Sequence, residues 1–139
     1  VHVGLQLRYG ERARYVRRCE SSAWGRDRRA LREKAIENLA ERSCSLRIEP
    51  AREDSYRVRQ GDGLDGARLL LPDLFARLAR LDVGGWLAAA PHRDVLLVAP
   101  ERARDRLAER AEDAALRAPH PMSASLFAIT AEGPRPVQR

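Results

Sequence analysis

Val1, Val3, Leu5 and Leu7 alternate with His2, Gln6 and Arg8, so Val1–Tyr9 reads as a half-buried strand. Gly10-Glu11 supplies a turn, and Ala13–Arg18 returns as a second strand through Tyr15 and Val16. Glu20–Gly25, with Trp24, reads as a loop. Asp27 then offers an N-cap to an amphipathic helix over Arg28–Arg42, with Leu31, Ala35 and Leu39 at four-residue spacing and Ile36 and Ala40 beside them. Cys44–Glu49 and Tyr56–Gln60 form the next strand pair, joined by a turn at Pro50–Asp54, with Leu46 and Ile48 inward.

The loop Gly61–Gly66 leads to a short helical turn at Ala67–Leu71. Pro72 opens a helix with Leu74, Phe75, Leu78 and Leu81 as its buried stripe, stopped by Gly84-Gly85. Trp86–Ala90 and Asp94–Ala99 are apolar strands around Pro91-His92-Arg93. The unbroken Val95–Val98 run suits a central strand covered on both faces. Glu101 to Arg117 reads as a helix with Ala103, Leu107, Ala111 and Ala114 inward, followed by a linker at Ala118–Pro121 and a strand at Ser125–Ala131. The order ββ-α-ββ-α-ββ-α-β predicts an α+β fold, a mainly antiparallel sheet with three helices. One domain over residues 1–133 and a loose tail at 134–139 complete the expectation.

Composition alters this picture little. The 139 residues carry a formal net charge of +6, but of 26 basic residues only Lys34 is lysine. Arginine at that excess, with abundant Ala, Leu and Gly, looks like a G+C-rich coding bias rather than a polyanion-binding surface. Arg104, Arg106 and Arg110 lie near Glu101, Asp105, Glu109 and Glu112, so a solvated, ion-paired helix face accounts for them. No run approaches the ~18 apolar residues of a membrane span. Val1–Tyr9 is too short and polar for a signal peptide, which points to the cytoplasm. The first residue is Val rather than Met, leaving room for an upstream segment.

Chemistry-bearing motifs are sparse. Cys19 and Cys44 show no metal or redox spacing and are expected as thiols in a reducing cytosol, although a bridge is possible if their flanking strands are neighbours. His2, His92 and His120 lie far apart, so no zinc site is expected. The Gly61–Gly66 loop holds Asp62 and Asp65, but Leu69-Leu70-Leu71 stands where a calcium loop needs oxygen ligands, and the Gly-Lys-Ser/Thr ending of a phosphate loop is absent. Pro91-His92-Arg93-Asp94 places an imidazole, a guanidinium and a carboxylate on one hairpin, either as an anion-binding cluster or as a turn satisfying itself. No nucleophile elbow, stacking platform or helix-turn-helix pattern is present.

Three motifs recur in an order that resembles the YtpQ-like family of uncharacterised bacterial proteins. They are Ala35-Ile36-Glu37-Asn38-Leu39 in a helix, the acidic loop Gly61–Gly66 running into Ala67-Arg68-Leu69-Leu70-Leu71-Pro72, and Pro91-His92-Arg93-Asp94-Val95-Leu96-Leu97. The likeness runs from Trp24 to Phe127. It implies a shortened or C-terminal version of a longer protein, no established reaction or cofactor, and attention to Asn38, Asp62, Arg93 and Asp94.

The expected function is a non-enzymatic domain that binds a protein partner or a second copy of itself. The alternative is an anion or nucleotide binder using an Arg-lined site near the Pro91–Asp94 turn. Its binding residues would be Arg93, Asp94, His92, Asp62, Asp65 and Asn38. No catalytic residue, metal or cofactor is expected, and nucleic acid and membrane are disfavoured as partners. An enzyme would require Asp62, Asp65, His92 or Asp94 to converge in one pocket.

Overall fold

In the computed structural model, which describes residues 6–9, 12–25, 27–52, 54–82, 84–119 and 121–137, the alternating segments pair as antiparallel hairpins. The chain divides into two compact units, Val1–Arg42 and Ser43–Arg139. Val1–Leu5, the Gly10-Glu11 turn and His120 lie outside the described residues.

In the first unit β1 (Gln6–Tyr9) pairs with β2 (Arg12–Tyr15), Gln6 opposite Tyr15. The segment expected to be a loop is instead a helix, α1 (Arg18–Ala23). Its local cause is Glu20, whose carboxylate accepts from the Arg17 backbone N–H at 2.9 Å. A glutamate on the first turn reaching back to the preceding N–H is half of a capping box. The next helix, α2 (Arg28–Glu41), starts where Asp27 predicts it. The Asp27 Oδ1 accepts from the Ala30 N–H at 2.7 Å. Its buried stripe is narrower than expected: Leu39 is buried, Leu31 and Ile36 are half-buried, and Ala35 and Ala40 are exposed.

The second unit is built on a six-stranded antiparallel sheet. Its strands are β3 (Arg47–Pro50), β4 (Tyr56–Arg59), β5 (Trp86–His92), β6 (Val95–Pro100), β7 (Leu126–Thr130) and β8 (Gly133–Pro136), in the order β3-β4-β6-β5-β7-β8. The apolar β6 is interior, as a strand buried on both faces requires. On one face Leu87, Leu97 and Ala99 form a core with Ala103 and Leu107. Leu107 belongs to α4 (Arg104–Arg117) and Ala103 to the 3-10 turn before it. On the other face Val58, Trp86, Ala88, Leu96, Val98, Phe127 and Ile129 are buried, and the Tyr56 ring tilts against Trp86 at 5.7 Å. A 3-10 turn (Gly66–Leu70) and the short helix α3 (Leu74–Leu78) pack on β5 and β7, respectively, burying Leu69, Leu71, Leu74 and Leu78.

Two expectations change here. α3 ends at Leu78, so Leu81 is exposed rather than part of the stripe. The tail segment Gly133–Pro136 forms edge strand β8, and the Val137 N–H bonds to the Leu126 carbonyl at 3.0 Å. β8 carries Pro134 and Pro136, which lack N–H groups and suit an edge. The α+β class and the mainly antiparallel sheet are as the sequence pattern predicts, with four α-helices among the described residues in place of three.

Candidate functional site

Arg68, which is not among the expected binding residues, organises this end of the second unit. Its side chain is fully buried in the 3-10 turn. Its guanidinium forks onto Asp62, with Nη1 to Oδ1 at 2.8 Å and Nη2 to Oδ2 at 3.1 Å. Nη1 also reaches Asp65 Oδ1 at 3.1 Å, and Nε donates to Ser43 Oγ at 3.0 Å. A buried arginine is tolerable only when its donors and charge are matched, and two aspartates with a hydroxyl do so here. The signal was present in the spacing: Arg68 follows Asp65 by three and Asp62 by six residues on a tight Gly-rich loop.

This arrangement settles what the acidic loop does locally. Asp65 Oδ1 also accepts from the backbone N–H groups of Gln60, at 2.9 Å, and Gly61, at 3.2 Å. Gly61 has φ +79°, a left-handed conformation suited to glycine. Arg68 therefore holds Asp65, and Asp65 holds the chain as it leaves β4. On the other side the Gly66 N–H donates to the Arg93 carbonyl at 2.7 Å. A Cβ on Gly66 would stand 2.8 Å from the His92 carbonyl oxygen, so the loop docks on the hairpin only through a glycine. The structure thus brings the acidic loop and the Pro91–Asp94 turn together, through backbone rather than through their charged side chains.

Within the turn, His92 Nδ1 accepts the Asp94 backbone N–H at 3.1 Å and lies 3.5 Å from Asp94 Oδ2. Arg93 is exposed and its Nε meets Asp94 Oδ2 at 3.3 Å. Arg57 Nη2 donates to the Asp94 carbonyl at 3.1 Å. His92 Nε2, Asp94 Oδ1, Arg57 Nε and Gln60 Oε1 are buried polar atoms with no protein partner. Asn38 is exposed on α2 in the first unit, its carbonyl accepting from the Arg42 N–H.

A cleft opens beside Gln60. It has a volume of about 260 Å³ and is lined by Arg47, Glu49, Arg59, Gln60 and Gly61. The register places Arg47 directly opposite Arg59, and Glu49 opposite Arg57. Like charges directly opposite on paired strands repel. Arg47 lies 3.8 Å from Glu49, a long, exposed pair of little worth. Among the described residues Arg59 has no side-chain partner. The arginines of α4 are elsewhere employed. Arg110 bonds the Arg52 carbonyl at 2.8 Å and Ser55 Oγ, and Arg106 reaches Asp54 at 3.7 Å, so two of the expected intrahelical pairs are replaced by contacts to the β3–β4 turn.

Among the described residues no group of three or more His, Cys, Asp or Glu side chains is placed to hold a metal ion, and no helix is long and apolar enough to cross a membrane. Neither cysteine is in a disulfide. Cys19 lies in α1, and both are exposed.

These features define an α+β protein with an antiparallel sheet, a buried arginine–aspartate cage and an arginine-lined cleft at one end. The chain is 35% identical over 72 residues to the UPF0354 protein lwe1624 of Listeria welshimeri, a member of an uncharacterised bacterial family. The match covers 51% of this chain and 27% of that protein, so the chain spans about a quarter of the relative's length. No protein-family model matches the chain. No solved structure matches it.

Proposed function

We propose that the chain is a non-enzymatic binding module that holds a small anion in the cleft between β3 and β4. The supporting observation is the Arg47–Arg59 pair: the two arginines stand directly opposite each other on paired strands and both line the cleft, and Arg59 has no side-chain partner among the described residues. An anion between them removes their repulsion and takes charge-assisted hydrogen bonds from both. Asp65 fixes the backbone of the lining residues Gln60 and Gly61 by accepting from both of their N–H groups. At about 260 Å³ the cleft is smaller than ordinary drug-sized pockets of roughly 300–1,000 Å³, which favours a small anion over a nucleotide.

The order of the helix, acidic-loop and hairpin motifs, with the 72-residue likeness, supports a place for this chain in the YtpQ-like family. The test of function is calorimetric titration of the intact chain with glutarate and with inorganic phosphate at low ionic strength. Saturable binding is expected to weaken at least tenfold in Arg59→Ala and to weaken with added salt. Binding unaffected by Arg59→Ala, or no binding of either anion, overturns the proposal.

A further inference from the structure

We infer that the anion taken by the β3–β4 cleft is an amino-acid-like dicarboxylate, one that carries an ammonium group beside its negative charge. The inference rests on the anion-binding reading above and concerns the identity of the ligand. The cleft lining is not uniformly cationic. Arg47 and Arg59 offer only donors, whereas Glu49 offers only acceptors. A plain dicarboxylate would satisfy the two arginines and leave Glu49 repelled. A ligand with an ammonium group answers all three, with carboxylates on the guanidinium groups and an N–H donor toward Glu49.

Charge and size agree with this. The lining holds two positive side chains and one negative, a net +1, which complements a ligand of net −1. An acidic amino acid has that charge, and a monocarboxylic amino acid does not. At about 30 Å³ for each water-sized unit, 260 Å³ accommodates about nine non-hydrogen atoms, close to the size of a small acidic amino acid. The Arg47–Glu49 contact is loose, with the two side chains 79% and 40% exposed, so both can turn to a ligand at little cost. The backbone beneath them is stiff, because Asp65 holds the N–H groups of both Gln60 and Gly61.

The experiment compares L-glutamate with glutarate, its analogue lacking the ammonium group, by calorimetry on the intact chain. L-Glutamate is expected to bind at least tenfold more tightly. Glu49→Gln is expected to move the two ligands in opposite directions, weakening glutamate and strengthening glutarate, because the lost carboxylate attracted one and repelled the other. Thermal unfolding confirms that the variant is folded. If glutarate binds through Arg59 as tightly as glutamate, or if Glu49→Gln moves both ligands the same way, the inference falls while the anion-binding reading stands. If neither ligand binds, the inference falls, and if inorganic phosphate does not bind either, the anion-binding reading falls with it.

Discussion

Arg68 places the strictest demand on its neighbours of any single residue in the second unit. Its buried charge is matched by Asp62 and by Asp65, which is itself buried. Arg68→Met would keep much of the volume and leave the Asp65 carboxylate buried without its counter-ion. Removing one partner of a buried pair costs about 3–5 kcal/mol, and chemical denaturation should show a loss of that size. A loss under about 1 kcal/mol would mean that the cage is not structural. Gly66→Ala acts by a different route: its Cβ would stand 2.8 Å from the His92 carbonyl oxygen. The loop or hairpin must yield, so a loss of about 1–3 kcal/mol is expected. The acidic loop was readable as a motif but not as a function, because Asp62 and Asp65 are equally at home in a ligand site and in a cage. Only the position of Arg68 under the loop separates the two.

Elements were legible wherever one chemical signal dominated. Asp27 announces α2, and the Val95–Val98 run announces an interior strand. α1 was missed because Glu20 caps it through side-chain geometry, in a segment with no apolar periodicity. β8 was missed because Gly133–Pro136 has poor strand propensity and is held by pairing with β7. Glu20 carries a pH consequence for α1. The Arg14 guanidinium, then the Arg17 backbone N–H, lower its carboxyl from the ordinary 4.5 to about 2. A depressed pKa makes this contact's stabilisation fully present above pH 4.5 and lost as pH falls toward 2. Carboxyl NMR should find the Glu20 midpoint near 2, and Arg14→Ala should raise it toward 4.5. A midpoint already at 4.5 in the unaltered chain would remove the contact's role in holding α1.

Over the whole molecule the division of the core is unequal. Among the described residues, Leu39 is the only buried hydrophobic one in the first unit, and the rest belong to the second. The alternating and helical patterns identified most of those residues, yet gave no sign of a boundary at residue 42, because α2 runs into β3 through a short polar turn with no linker composition. The second unit contains its six-stranded sheet, the helix on one face, the arginine cage and every residue lining the cleft. A fragment of residues 43–139 is therefore expected to unfold in one cooperative thermal transition and to bind anions as the intact chain does. Its first residue matters, because Ser43 is buried and its hydroxyl accepts from Arg68 Nε. Hydrogen bonds to charged groups are worth about 1.5–3 kcal/mol, so Ser43→Ala in this fragment should lower its midpoint by at least about 6 °C. A fragment that melts without cooperativity would show that the second unit depends on residues before 43. A Ser43→Ala midpoint equal to that of the unaltered fragment would show that Asp62 and Asp65 satisfy Arg68 alone.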